Sequence, residues 1–224
     1  MPVKRSYAEC GDACATAHAV ELIGDRWTYP VIRELMLAPK RFGELADAVL
    51  GVTPAVLTSR LREMEAAGLV ERVTLPAPAS VSAYRLTPWA RELGPLLRSL
   101  GRWAHGSPVR DAAPTGGLTP DGVVQSMLTM APAEAPSPGL ELQLELTDAR
   151  VAGGHSYTYR LSWDEAGLRI DRGTHPGATA TLRADSSALA GMLYQTHELP
   201  PGQQDMVTGD NKDVARLLDA FPTP

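Results

Sequence analysis

The chain has 224 residues, of which 44% are hydrophobic and 21% charged, and its formal net charge is -5. That length suits two domains rather than one. No run approaches the roughly eighteen consecutive apolar residues of a membrane-spanning helix, and the start, with Lys4 and Arg5, lacks the apolar stretch of a secretory leader; a cytoplasmic location without a membrane partner is expected by default. The charge is uneven. Residues 1–105 hold 13 Lys and Arg against 11 Asp and Glu, a balance of +2, and residues 106–224 hold 8 against 15, a balance of -7. A mildly basic module followed by an acidic one is expected.

In chain order, Arg41-Phe-Gly-Glu-Leu-Ala-Asp-Ala-Val49 reads as a short amphipathic helix, and Gly51-Val52 as a turn. Thr53 is a good N-cap, Pro54 suits the first helical position, and a second helix is predicted to reach Ala67, with Gly68 ending it. Leu57, Leu61 and Met64 make one apolar face of that helix. At 100° per residue the opposite face carries Ala55, Thr58, Ser59, Arg62 and Ala66: small and hydroxyl side chains that let a helix approach base edges, and an arginine suited to guanine or phosphate. Two strand-like runs follow, Leu69–Leu75 and Val81–Leu86. Helix, tight turn, helix, hairpin is the order of a winged helix-turn-helix, whose second helix enters the major groove of duplex DNA. Lys40 and Arg41, at the entry to the first of these helices, are expected on phosphates, with Thr53 beside the groove.

The run Cys14-Ala-Thr-Ala-His-Ala-Val-Glu-Leu-Ile-Gly-Asp-Arg-Trp-Thr28, with Arg41-Phe-Gly-Glu-Leu45, Leu57-Thr-Ser-Arg-Leu-Arg-Glu-Met-Glu-Ala-Ala-Gly-Leu-Val70 and Tyr84-Arg-Leu-Thr-Pro88, resembles HxlR-type transcriptional regulators over about residues 10 to 105. The resemblance implies a winged-helix regulator that dimerises through its first helix and the helix after the wing. Val20, Ile23, Leu93, Leu96, Leu97 and Leu100 supply the apolar surface for such a homodimer, whose two-fold axis would match a two-fold operator. The wing tip, residues 76–82, departs from a basic wing: it has no Lys or Arg, which leaves Arg72 and Arg85 on the wing strands as the nearest DNA contacts.

Residues 106–117, rich in Gly and Pro, read as a linker, which sets the expected domains at 1–105 and 118–224. Thr119-Pro120 opens a helix to about Met130. Leu140, Leu142, Leu144 and Leu146 alternate with polar residues, as do Tyr157, Tyr159, Leu161 and Trp163. Leu168 with Ile170, and Ala178, Ala180 and Leu182, mark two more strands. Hairpin turns at residues 152–154 and 164–167 suggest an antiparallel sheet, and helices at about 186–196 and 212–220 close an α+β domain.

The strand run Tyr157–Asp171, the segment Ala180-Thr-Leu-Arg-Ala-Asp185 and the closing Thr208-Gly-Asp-Asn-Lys-Asp-Val-Ala-Arg-Leu-Leu218 resemble a sterol-carrier-protein-type domain over about residues 118 to 222. That resemblance implies five strands backed by helices around an apolar cavity. Independently, Tyr157, Tyr159 and Trp163 on one sheet face, with Met127, Met130, Met192, Leu193 and Tyr194 on helices, suit a small apolar or aromatic ligand, because methionine adapts its shape and tyrosine anchors a polar group.

Cys10 and Cys14 lie four apart, and no further Cys or paired His completes a metal site, so neither metal nor cofactor is expected. Some HxlR-type proteins sense oxidants or electrophiles at the position of Cys14, which makes it a candidate redox site; a small interface residue is the plainer reading. No catalytic residue is expected, since the chain carries no nucleophile-elbow, phosphate-loop, zinc-protease or dinucleotide motif. The expectation is a ligand-responsive DNA-binding regulator. Its rivals are a redox regulator acting through Cys14, and a carrier or enzyme fused to an autoregulatory module.

Overall fold

The computed structural model describes residues 6–76, 80–109, 117–200, 202 and 204–221. The chain divides into two compact units, Met1–Leu93 and Gly94–Pro224.

The first unit begins with α1 (Ala15–Ile23), which Gly24 ends, and α2 (Thr28–Leu35). The Asp25 carboxylate accepts from Trp27 N at 2.8 Å just before α2. In α3 (Phe42–Ala48) the Glu44 side chain reaches back to Arg41 N at 2.8 Å, which satisfies a donor that the first turn leaves open. α4 (Pro54–Ala66) has Thr53 as N-cap, its hydroxyl accepting from Val56 N at 3.3 Å. Gly68 follows at φ +70°, a conformation glycine adopts without steric cost. Leu57, Leu61 and Met64 are buried, as their spacing predicts.

β1 (Val70–Thr74) and β2 (Ser82–Leu86) form an antiparallel hairpin with Val70 opposite Leu86 and Thr74 opposite Ser82. Lys40 adds a bridge on its outer edge, exchanging two backbone hydrogen bonds with Tyr84. Residues 77–79 of the expected wing tip lie outside the described residues. α5 (Pro88–Arg91) is capped by the Thr87 hydroxyl.

The division after Leu93 falls ahead of the boundary expected at residue 105. α6 (Leu93–His105) goes with the second unit, where Arg102 donates to the Thr129 carbonyl at 3.2 Å. Most of the expected linker, residues 110–116, lies outside the described residues. α7 (Pro120–Met130), capped by Thr119, leads into β3 (Leu140–Thr147), β4 (Ser156–Asp164), β5 (Gly167–Arg172) and β6 (Ala180–Asp185). α8 (Ser186–Gly191) runs on into a π-helical turn at Met192–Thr196, and β7 (Val207–Gly209) and α9 (Asn211–Asp219) complete the unit.

The five-stranded sheet has the order β5-β4-β3-β6-β7. The expectation of an antiparallel sheet is corrected at its centre, where β3 and β6 run parallel, with Leu144 opposite Leu182. Hairpin turns join β3, β4 and β5 into a meander. After β5 the chain crosses back to the free edge of β3, and β6 therefore runs in the direction of β3. The alternation of side chains fixes which residues share a face, and it is silent on which strand is the neighbour. Leu140, Leu142, Leu144, Leu146, Leu161 and Leu182 are buried on one face, beneath α7, α8 and α9.

Candidate functional site

Within the first unit, α4 turns Ala55, Ser59, Arg62 and Ala66 to solvent, with Thr53 exposed at its start and Thr58 half-buried. Two of the hydroxyls are already engaged. Thr58 donates to the Pro54 carbonyl at 2.8 Å, and Ser59 donates to Glu63 at 3.1 Å. Arg62 takes no hydrogen-bond or ion-pair partner among the described residues, so its guanidinium is available to another molecule.

Lys40 corrects the sequence reading. It is 2% exposed, and its ammonium sits 2.5 Å from Glu34, which is itself fully buried and also accepts from Arg33 at 2.9 Å. The bridge to Tyr84 pulls Lys40 against the hairpin and under the surface, which removes it from the phosphate contacts. Arg41, one residue on, is exposed.

The wing arginines are exposed but paired. Arg72 meets Glu65 at 3.0 Å and lies over the Tyr84 ring, and Arg85 meets Glu71 at 2.8 Å. Such surface pairs contribute about 0–1 kcal/mol each, so a phosphate can replace the carboxylate at little cost. Sequence reasoning missed Arg60. It joins α4 to the loop before α2 through Asp25 at 2.8 Å, and it also meets Glu63 at 2.7 Å. The pairing with Glu63 is readable from its helical spacing; the one with Asp25 bridges distant segments and is not.

Cys14 is exposed as the N-cap of α1, and the backbone N–H groups of Ala17 and Thr16 hold its thiol below the ordinary range. α1 buries no residue at all, and Val20 is 51% exposed. On α6 the open stripe is Leu96, Leu100 and Trp103, at 64%, 50% and 77% exposure, whereas Leu93 and Leu97 are half-buried. Apolar side chains of this size left open at i, i+4 and i+7 are what a partner surface covers.

In the second unit the expected ligand residues fall into two groups. Tyr159 is buried and donates to Asp121 at 2.7 Å. Asp121, also fully buried, takes both arms of Arg172, at 2.9 and 2.6 Å, and that guanidinium lies 3.3 Å from the Tyr157 ring centre. Tyr157 and Tyr159 thus flank an internal ion pair, and the Tyr159 hydroxyl, expected at a ligand, is engaged by Asp121. Asp121 and Arg172 went unread because they stand 51 residues apart.

The other group lies about 13 Å further along β4, four residues at the strand rise. Trp163 tilts against Phe221 with ring centres 5.4 Å apart, and Tyr194 meets Phe221 edge-on at 5.9 Å. The Tyr194 hydroxyl shares a 2.9 Å hydrogen bond with Ser126, and burial pushes its phenol up to about 12. Met127, Met192 and Leu193 are buried and Met130 half-buried.

On the opposite sheet face Ser162 and His175 both bond Glu141 Oε2, at 2.7 and 2.6 Å. The serine hydroxyl is therefore directed at the carboxylate, not at the imidazole that a nucleophile and base pair would need. Among the described residues no three His, Cys, Asp or Glu side chains gather as a metal site, and no helix is long and apolar enough to cross a membrane.

A family model described as HxlR-like helix-turn-helix matches residues 22–110. The chain is 37% identical over 89 residues to sll1512 of Synechocystis, named an uncharacterized HTH-type transcriptional regulator, across 40% of this chain and 66% of that protein. It is equally similar to the regulator Rv3095 of Mycobacterium tuberculosis, of which it spans 56%. To the HTH-type transcriptional regulator YodB of Bacillus subtilis it is 34% identical over 86 residues, 38% of this chain and 77% of that one. The solved structure of reduced YodB aligns with 45% of this chain and all of its own, at 30% identity and a TM-score of 0.40.

Proposed function

The chain belongs to the HxlR-like helix-turn-helix family, and on that premise we propose that it is a DNA-binding transcriptional regulator acting as a homodimer. The observation that carries this reading is the outward row of α4, small side chains around the unpartnered Arg62, on a helix whose other face is locked into the core by Leu57, Leu61 and Met64. In a dimer two such helices enter successive major grooves, with Arg62 on base edges and Arg41, Arg72 and Arg85 on the backbone. The open apolar stripes of α1 and α6 are the surfaces we assign to the homodimer.

The second unit is the sensor in this reading, a sterol-carrier-like domain with a small, largely apolar or aromatic ligand as its effector. That ligand changes operator affinity only to the extent that it binds the DNA-competent and incompetent arrangements differently. Cys14 favours a second reading, because it is an exposed thiol with a lowered pKa at the start of α1. Its oxidation or alkylation would then weaken DNA binding.

The test is operator affinity of the intact chain and of C14S, measured by fluorescence anisotropy with and without diamide, and with and without a cellular lipid extract. A response to extract that survives in C14S supports the ligand reading. A response to diamide that C14S abolishes supports the thiol reading. Failure of the intact chain to select any sequence from a random duplex pool overturns both.

A further inference from the structure

Trp163 is fully buried, and its indole Nε1–H meets no acceptor among the described residues. Buried donors without acceptors are rare and costly. Three other buried atoms share that condition: Arg60 Nε, Ser187 Oγ and His197 Nε2. Each has an escape. Arg60 is paired through its other nitrogens, a serine hydroxyl rotates, and His197, whose Nδ1 lies 3.0 Å from the Leu218 carbonyl, leaves Nε2 as a bare acceptor in one tautomer. An indole N–H is always a donor, and its direction is fixed by the ring.

The surroundings of that ring are built from deformable or neutral parts. Trp163 leans on Phe221, and Phe221 on Tyr194. Tyr194 belongs to the π-helical turn Met192–Thr196, which ends at His197 with φ +55°. Single π-helical turns are rare and recur at functional sites. Met192, on the same turn, is buried and has the pliancy to repack around a guest. The polar groups that these ring contacts bring together are the indole N–H, the Tyr194 phenol and the Ser126 hydroxyl, none of them charged, while His197 at the end of the turn is engaged through Nδ1 by the Leu218 carbonyl. A buried ionic headgroup would lack compensation from them, whereas an uncharged oxygen would not need it.

We propose that the second unit binds an uncharged, largely apolar molecule bearing a carbonyl oxygen, with Trp163 Nε1–H donating to that oxygen and the π-helical turn at Met192–Thr196 yielding to admit its body. This rests on the reading of the second unit as a ligand sensor and names the chemical class and the anchoring atom.

The test uses benzophenone and diphenylmethane, two probes that differ in the carbonyl group alone, on the full chain labelled with 15N at tryptophan. The chain has four tryptophans, so four indole signals are resolved and W163F assigns the relevant one. Benzophenone should move the Trp163 indole proton downfield and bind the native chain about two- to tenfold more tightly than W163F, the range of one neutral hydrogen bond. Diphenylmethane should bind both alike and cause no downfield shift. If both probes bind while the Trp163 indole signal stays in place, the anchoring role is overturned and the sensor reading stands. If neither binds, the sensor reading falls as well. A cooperative denaturant transition of the second unit like that of the native chain reports whether W163F folds; should it not, W27F, W89F and W103F assign the other three signals and the indole shift in the native chain decides.

Discussion

Lys40 Nζ lies 2.5 Å from Glu34 Oε2 in the interior of the first unit, 2% and 0% exposed respectively. The pair ties the end of α2 to the edge of the hairpin, since Lys40 also bridges Tyr84. Replacing Lys40 with Met leaves buried Glu34 with Arg33 as its remaining cation, so the loss should fall short of the roughly 3–5 kcal/mol that a wholly uncompensated buried charge costs. Urea denaturation of the K40M protein should show the loss, and a second substitution, Glu34→Leu, should restore much of it. A K40M protein of unchanged stability whose operator binding has a shallower salt dependence would return Lys40 to the phosphates.

Arg62 differs from Lys40 in every respect that matters for DNA: it is exposed, on the outer row of α4, and unpartnered. Losing a bidentate arginine–base contact costs about 1–3 kcal/mol. R62A should weaken operator binding about tenfold or more, relax specificity at one base pair of each half-site, and leave the thermal transition in place. Uniform weakening on all sequences would make Arg62 a phosphate contact instead.

The apolar stripe of α6 predicts assembly. Leu100→Glu places a charge on the open face beside Leu96 and Trp103 without disturbing buried packing, because Leu100 is already half open to solvent. Sedimentation velocity should show the native chain as a dimer at micromolar concentration and L100E shifted towards monomer. A dimer of undiminished strength in L100E would move the interface elsewhere.

Cys14 should titrate early. The N–H groups of Ala17 and Thr16 stabilise the thiolate, so its pKa falls and the thiolate persists to lower pH than for an ordinary thiol. Iodoacetamide labelling of the C10S protein against pH should therefore give a midpoint below the usual thiol range of about 8.5. A midpoint at or above it would remove the electrostatic basis for a sensing role.

Asp121 holds Arg172 and Tyr159 together in the second unit. D121N leaves the guanidinium without its charge partner and should destabilise that unit by about 3–5 kcal/mol, seen in denaturant melts. Y159F removes one hydrogen bond to a buried carboxylate and should cost about 1.5–3 kcal/mol. If Y159F instead abolished ligand response at unchanged stability, Tyr159 would be a ligand contact after all.

Much of the molecule was legible where the signal is local. Thr53-Pro54 and Gly68 bracket α4 within two residues of its ends, and the alternating leucines of β3 all turn inward. What escaped reading depends on pairings across long stretches of chain. Lys40 looks like a surface cation until Tyr84, 44 residues on, draws it into the hairpin edge. Tyr159 looks like a pocket residue until Asp121, itself held by Arg172, claims its hydroxyl. β7 has three residues and no alternation to announce it. Phe221 gave no periodic signal, although its ring links Trp163 to Tyr194.

A two-fold dimer that reads DNA through α4 leaves a footprint of defined spacing. Hydroxyl-radical footprinting on an operator selected from random duplexes tests it most directly, with native and R62A proteins side by side. Two protected half-sites centred about 34–36 Å apart, one helical turn, should appear with the native protein, and both should be lost in R62A at the concentration that saturates it. A single protected segment, or two that R62A leaves fully protected, would contradict this mode of reading.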